Sequence, residues 1–306
     1  MSVWTLLSIL AADILPIFAI AAIGFLMERR VSGSSKTLSA ITFNVLSPCL
    51  VFYQLVTSRL SGPEVGRIAL FCFLLTAVMG IAARLAAIPL KLDRRTLSSF
   101  LLVVMFSNTG NYALPLILFA FGQEALSYAS VYFATSAIII YTVGVFIAAS
   151  SRSSFSGSLL GILRVPAVYA LTAAGIIMFF HVTPPLMVMR PVGMLSDAAI
   201  PMLLLVLGMQ LKRVVAPNRP VVVGFAVALS LFFAPIVGVS LSWLLGLSGP
   251  AREATITLSS MPAAVITTVL ALEFDLDSSF VTSVVFVSTL ISPVTLVLLI
   301  AYLHGS

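Results

Sequence analysis

The sequence predicts an all-α polytopic membrane protein: ten transmembrane helices in a five-plus-five inverted repeat, with helices four and nine broken. Three observations carry this. The 306 residues are 60% hydrophobic and only 8% charged, whereas a soluble domain carries roughly a quarter charged residues. The apolar residues fall into about ten runs of the length needed to cross a ~30 Å hydrocarbon core. The basic residues sit singly or in pairs at the ends of those runs, on alternating sides.

The spans are placed at Trp4–Met27, Leu38–Val56, Val65–Leu90, Leu97–Phe121, Leu126–Ala149, Leu160–Phe180, Pro191–Leu211, Val221–Leu245, Ala251–Leu272 and Phe280–Leu303. One set of alternate loops then holds Arg29, Arg30, Lys36, Lys91, Arg94, Arg95, Arg152, Arg164, Lys212, Arg213 and Arg219, and the opposite set holds Arg59, Arg67, Arg190 and Arg252. Eleven against four puts the first set in the cytoplasm and both termini outside. The net charge of +6 therefore reads as topology, not as a nucleic-acid surface.

The Ser-rich link Ser150–Ser158 leaves five spans on each side. An odd number per half makes the second half insert upside down. The expected domains are residues 1–149 and 160–306, joined by a short cytoplasmic linker at 150–159. Internal echoes fit this division: Pro16 in span one against Pro166 in span six, and Pro48 in span two against Pro201 in span seven. The strongest echo pairs Ser107-Asn108-Thr109-Gly110-Asn111-Tyr112-Ala113-Leu114-Pro115 in span four with Leu258-Ser259-Ser260-Met261-Pro262-Ala263-Ala264 in span nine.

Each of those stretches interrupts an apolar helix with hydroxyls, glycine, amides or proline. Backbone in hydrocarbon must satisfy its own hydrogen bonds, so an unwound segment survives only where protein buries it or it lines a cavity. Pro115 and Pro262 each remove a helical donor and clash with the preceding turn, and are expected to cause the two breaks. The freed helix ends present N–H groups and partial positive charge, suited to a carboxylate. Asn108, Thr109, Asn111, Pro115, Ser260, Pro262 and Ala263 are the expected substrate-binding residues. Tyr132 in span five and Ser288 in span ten are further candidates, on polar stripes that hydrogen bonding between helices would also explain. Asn44 and Gln210 are isolated amides of the same kind.

Asp13, Arg84 and Asp197 are charged within or near spans. A charge at the bilayer centre costs at least ~2.5 kcal/mol. Asp13 and Arg84 are read as structural, close enough to span ends to meet water. Asp197 is the candidate carrier of a coupling proton or cation. The acidic run Glu273-Phe274-Asp275-Leu276-Asp277 reads as a solvated cytoplasmic connector.

Enzyme chemistry lacks its parts. The two histidines, His181 and His304, lie at a loop and the terminus, and no HExxH, Gly-x-Gly-Asp or P-loop pattern occurs. Cys49 and Cys72 fall in apolar runs and read as small buried hydrophobes. No cofactor and no metal are expected, and no cleavable signal peptide is evident at Met1–Ala12.

These motifs resemble the auxin efflux carrier family, which includes plant PIN-type carriers and bacterial malonate- and malate-type permeases. Ser107–Pro115 is similar to the family's span-four signature. Leu195-Ser196-Asp197-Ala198 with Leu207-Gly208 resembles its span-seven pattern, and Met261-Pro262 through Ser292-Pro293-Val294-Thr295-Leu296-Val297 its C-terminal pattern. The resemblance implies a scaffold of spans one, two, six and seven and a transport part of spans three to five and eight to ten, a fold of the bile-acid-symporter type. It also implies a carboxylate held near Asn108, elevator-like alternating access and a homodimer. The chain departs from the plant pattern at Ser107, which replaces a crossover proline, and at Pro201, which replaces a glycine. Its short central loop suits a bacterial inner-membrane protein.

The expected function is secondary active transport of a small organic anion, auxin-like or malate/malonate-like, with H+ or Na+ as the possible coupling ion and the lipid bilayer as its setting. A ligand-binding membrane sensor of the same fold is the alternative. Sensors of this kind carry an appended soluble domain that these 306 residues do not include.

Overall fold

A computed structural model describes residues 3–30, 34–58, 60–150, 166–180, 182–211 and 219–305. Helix accounts for nearly all of them, and among the described residues the only β-type pairing is one isolated bridge. Eleven helical elements position the site. They are α1 (Trp4–Glu28), α2 (Thr37–Thr57), α3 (Gly62–Leu90), α4 (Arg94–Met105), α5 (Thr109–Ala149), α6 (Pro166–Phe179), α7 (Leu186–Leu211), α8 (Pro220–Leu244), α9 (Gly249–Ser259), α10 (Ile266–Glu273) and α11 (Ser278–His304). Seven of these, α1, α2, α3, α5, α7, α8 and α11, are long and apolar enough to cross a membrane. The expected link Ser150–Ser158 falls, after Ser150, outside the described residues.

Helix α5 is 41 residues long but is not one rod. Gly122 has φ 80° and ψ −168°, backbone that a side chain would disfavour, and the chain reverses there. Gly110 and Phe133, on opposite sides of that turn, touch: a Cβ on Gly110 would lie 2.9 Å from the Phe133 ring. The two arms correspond to the end of expected span four and the whole of span five. Helix α7 begins at Leu186, five residues before the expected start at Pro191. Both Pro191 and Pro201 lie inside it, because neighbouring groups in a bundle can absorb the carbonyls that a proline frees.

Prolines leave a regular mark on the other helices. Wide turns at Leu10–Ile14, Thr42–Leu46, Thr109–Ala113 and Leu229–Phe233 each end two residues before a proline: Pro16, Pro48, Pro115 and Pro235. A proline ring clashes with the carbonyl four residues back, and one extra residue in the turn moves that carbonyl aside. Caps fix the helix starts. Ser61 and Glu64 form a reciprocal capping box on α3, and Asp93 and Asp277 accept the N–H of Thr96 and Phe280 at the starts of α4 and α11.

The helices pack as two sets. Helix α7 lies along α1 and α2, and α6 lies on α2. The crossing of α1 and α7 is close enough that a Cβ at Gly208 would strike the carbonyl oxygen of Ala21, and one at Gly24 that of Leu205. This is the small-residue contact that lets membrane helices pack without a hydrophobic drive between them. In the second set α3 packs on α4 and α5, α8 on α9, and α11 against α4, α8 and α10. The sets meet where α5 lies against α2, α6 and α7, and where the first turns of α1 reach α11. Large apolar side chains such as Ile81, Leu85, Ile88, Leu290 and Val294 point outward from the bundle. Trp4 and Trp243 stand exposed at helix ends, where indole rings favour a membrane–water boundary.

Candidate functional site

Two non-helical segments meet, residues 106–108 between α4 and α5 and residues 260–265 between α9 and α10. After Met105 the chain is extended at Phe106 (φ −117°, ψ 111°), then turns sharply at Asn108 (φ −76°, ψ 72°), where Thr109 N–H donates to Ser107 O at 2.8 Å. That is an inverse γ-turn. After Ser259 the second chain stays non-helical through residues 260–265 before α10 begins. Asn108 N–H donates to Pro262 O at 2.8 Å, and Ala264 N–H donates to Phe106 O at 2.9 Å. Ser107 and Ala263 thus face each other as an antiparallel, non-hydrogen-bonded pair, the arrangement that brings side chains closest. Serine and alanine are small enough to fit. Backbone groups freed from two helices satisfy each other, which is how irregular backbone is tolerated at this depth.

Pro262 sits in the second non-helical segment, where its carbonyl accepts from Asn108 N–H. Pro115 lies outside the first. It lies in the first turn of regular helix after the wide turn Thr109–Ala113, so it shapes that turn and not the break. The break itself is built by Phe106–Asn108 pairing with the second segment, which no local sequence rule announces.

Side chains extend the crossing. Ser107 Oγ donates to Leu258 O at 3.0 Å, and Ala263 N–H donates to Ser288 Oγ at 3.2 Å. Ser288 therefore backs the second segment from α11. Ser259 and Ser260 each donate to Ile256 O at 2.7 Å, turning their hydroxyls into their own helix. Asn108, Thr109 and Asn111 are buried. Asn111 Nδ2 donates to Gln210 Oε1 of α7 at 3.0 Å, and the Tyr112 ring sits edge-on to Phe18 of α1 at 5.8 Å. The Tyr112 hydroxyl lies 3.4 Å from that of Ser292 on α11. Two amide atoms at the crossing are buried without a protein partner: Asn108 Nδ2 and Asn111 Oδ1. Thr257 Oγ1, on the arm leading to the second break, is a third.

Two candidate residues lie elsewhere. Tyr132 is buried against the Phe71 ring, with its hydroxyl on Cys72. Asp197 is exposed on the wall of a cavity of about 240 Å³ between α1, α2, α7 and the Gly122 turn. Ser196, Gln54 and Gln123 share that wall with apolar residues including Ile20 and Leu204. Gln54 Nε2 donates to Gln123 Oε1 at 3.1 Å, and Ser127 Oγ lies 3.3 Å from Gln54 Oε1. Asp197 and Gln210 are 13 positions apart on one helix, a rise of about 20 Å. Asp197 is therefore not part of the crossing. Asn44 turns back to Ala40 O at 2.8 Å.

Polar contacts at the helix ends sort into two groups. In one, Arg95 pairs with Asp275, Arg219 Nη1 lies 3.2 Å from Asp93 and donates to Thr96 Oγ1 at 2.8 Å, and Asp277 N–H donates to Ser99 Oγ at 3.1 Å. The acidic connector 273–277 is thus tied to the start of α4, beyond the solvated role expected of it. The Thr96 hydroxyl first, and then Arg219, hold the Asp93 carboxyl below the ordinary carboxylate range. In the other group Tyr128 OH donates to Glu64 at 2.7 Å, His304 Nε2 lies 3.3 Å from Ala120 O, and Arg252 donates to Tyr302 OH at 3.2 Å.

Comparison with known proteins gives one consistent result. A family model described as membrane transport protein matches residues 9–158 and 150–300. An uncharacterized transporter of Methanothermobacter thermautotrophicus is 28% identical over 293 residues, covering 95% of each chain. An uncharacterized transporter of Methanocaldococcus jannaschii is 25% identical over 266 residues, 84% of this chain and 86% of its own. A probable auxin efflux carrier component of rice, Oryza sativa subsp. japonica, is 28% identical over 146 residues, 44% of this chain and 24% of its own.

Proposed function

This chain belongs to the auxin efflux carrier family of membrane transport proteins, and from that premise we propose that it is a secondary transporter of a small organic carboxylate, bound where the two interrupted helices meet. The observation that carries the proposal is Asn108 Nδ2, a buried donor with no protein partner. Leaving such a group unpaired costs about 1–3 kcal/mol, a penalty that a carboxylate oxygen arriving at the amide removes. The wide turn after Asn108 adds further donors, since the first N–H groups of a restarted helix have no intrahelical acceptor.

Ten crossings in two inverted halves form the frame of the proposal. With α4 and the first arm of α5 taken as crossing four, and α9 with α10 as crossing nine, the two groups of helix-end contacts fall on opposite faces. Residues 93–99, 219 and 275–277 all belong to connectors on the arginine-rich side, and residues 64, 120, 252, 302 and 304 to the other. Contacts also exchange between halves: α1 on α7 matches α6 on α2, and α3 on α4 matches α8 on α9. The packing into two sets supports a scaffold of crossings one, two, six and seven and a transport part of the remainder, moving as an elevator. No ion pair bridges the two sets among the described residues. The amide pairs Asn111–Gln210 and Gln54–Gln123 do, and water can replace such bonds during sliding.

Asp197 is the proposed coupling group, reached from the cavity beside it. A negative-inside membrane potential favours anion export by ~2.3 kcal/mol per charge per 100 mV, so uptake requires a co-transported cation. The test is a thermal-shift screen of the purified protein against organic acids, followed by flux in proteoliposomes. A ligand of the folded state raises apparent stability, and a carboxylate that does so and crosses the membrane supports the proposal. Stabilisation by neutral or cationic solutes alone overturns the anion reading. Binding without flux marks a sensor.

A further inference from the structure

We infer that the cavity beside Asp197 is a second ligand site, which takes a small primary ammonium compound with an apolar tail. The inference goes beyond the carboxylate site at the crossing and does not depend on it. The cavity measures about 240 Å³, less than the roughly 300–1,000 Å³ of sites for drug-sized ligands, so its occupant is small. Among the described residues that line it, Asp197 carries the only charge, and no cation among the described residues pairs with it. Arg190 lies seven positions earlier on α7, a rise of about 10 Å. The recess therefore attracts a cation and repels an anion, the reverse of what is proposed for the crossing.

The rest of the wall decides which cation. Divalent metal ions seek a cage of six or more oxygens, whereas most of this lining is apolar, including Ile20, Leu50, Ile200 and Leu204. An organic ammonium uses both kinds of surface. Its N–H donors suit the Asp197 carboxylate and the two amides that share the wall. Gln54 Oε1 and Gln123 Oε1 each accept one hydrogen bond, from Ser127 Oγ and Gln54 Nε2, and each keeps a second lone pair. Asp197, Ile200 and Leu204 recur at three and seven positions, so carboxylate and apolar wall share one face of α7. An alkyl tail laid along that face gains about fourfold in affinity for each methylene it buries. Phe119 and Leu126 add apolar wall from α5, and a bound ligand touches both sets of helices.

The experiment measures binding of methylammonium, hexylammonium and hexanol to the purified full chain, with hydrogen exchange to locate the bound amine. The wild type is expected to bind hexylammonium on the order of tenfold or more tighter than hexanol, with protection at residues 118–126 and 196–204. Asp197 is exposed, so Asp197→Asn leaves the fold intact and brings hexylammonium to the level of hexanol. Phe119 is 38% exposed, and Phe119→Ala shrinks the gain from methylammonium to hexylammonium, a change that a bare surface carboxylate does not produce. Asn108→Ala leaves hexylammonium binding as it is. The inference is overturned if hexylammonium and hexanol bind the wild type alike, if the preference survives in Asp197→Asn, or if Asn108→Ala abolishes it. Protection confined to other segments also overturns it. Free amines and ethanolamine lipids both carry the group. In mixed micelles, displacement of hexylammonium by phosphatidylethanolamine but not by phosphatidylcholine assigns the site to lipid, and displacement by neither assigns it to free amines. If hexylammonium binds as expected and no carboxylate binds at all, the transport proposal fails while this inference stands.

Discussion

The two non-helical segments pair with each other through their backbones, yet their side chains do different work. At the second, Ser259 and Ser260 return their hydroxyls to Ile256 O, and Ala263 N–H is held by Ser288. At the first, Asn108 and Asn111 each keep one buried amide end without a protein partner, and Asn111 and Tyr112 reach across to α7 and α1. The difference teaches that paired backbone need not mean a shared task. The second segment supplies backbone and support. The first supplies unmet hydrogen-bonding capacity, the property of a binding surface.

The sharpest way to break this contrast is Asn108→Ala. Its backbone N–H keeps Pro262 O, so the ladder survives. A hydrogen bond to a charged group contributes about 1.5–3 kcal/mol, so ligand affinity and flux are expected to fall by roughly 10- to 100-fold. Ligand-free stability should hold or rise, because an unpaired buried donor has been removed. A drop in the melting temperature of the ligand-free protein would show that Asn108 is structural and that the two breaks are alike.

The opposite signature is expected at the second break. Ala263→Val adds two methyl carbons opposite Ser107 at a position that is 1% exposed. Overpacking of this kind costs about 1–3 kcal/mol. Ser288→Ala removes the acceptor of Ala263 N–H, with a cost of about 1–2 kcal/mol for the unpaired group. Both variants should lower thermal stability while the folded fraction binds carboxylates as the wild type does. Affinity loss in Ser288→Ala at unchanged stability would move Ser288 from support to ligand contact.

Much of this contrast was legible in the sequence, because interrupted apolar runs are a one-dimensional signal. The stretches Ser107–Pro115 and Leu258–Ala264 stand out against their flanks by composition alone, and most expected helix ends lie within a few residues of those found. What the sequence could not carry is pairing at long range. Phe106 is an ordinary apolar residue until its carbonyl meets Ala264 N–H, more than 150 positions away. Pro115 marks the first turn of a helix, whereas the non-helical stretch before it is held by backbone pairing with residues 262–264. Gln210 was visible only as a lone amide on an apolar helix, and its partner Asn111 lies 99 positions away. Gln54 and Gln123 gave no signal beyond their polarity, and the acidic connector 273–277 drew attention only as charge.

The smallest expected effect separates the interruptions from the charged helix ends that carry them. Asp93 caps α4, the arm leading into the first break, and its carboxylate lies beside Thr96 and Arg219. These partners hold its pKa below the ordinary value in the folded state. A depressed carboxyl contributes stability at pH values above its unfolded pKa of about 3.9, and the contribution is lost as pH falls through the folded value. Both side chains of the Arg219–Asp93 pair are about half exposed, so solvent screens the interaction, and exposed pairs contribute about 0.2–1 kcal/mol. Asp93→Asn, which keeps a capping side chain, should therefore lower the melting temperature slightly at neutral pH, less so at high salt, and converge with the wild type in acid. Carboxylate binding should not change at any pH. A ligand affinity that tracks the Asp93 titration would mean that the charged ends communicate with the first break, and the division of labour between frame and site would have to be redrawn.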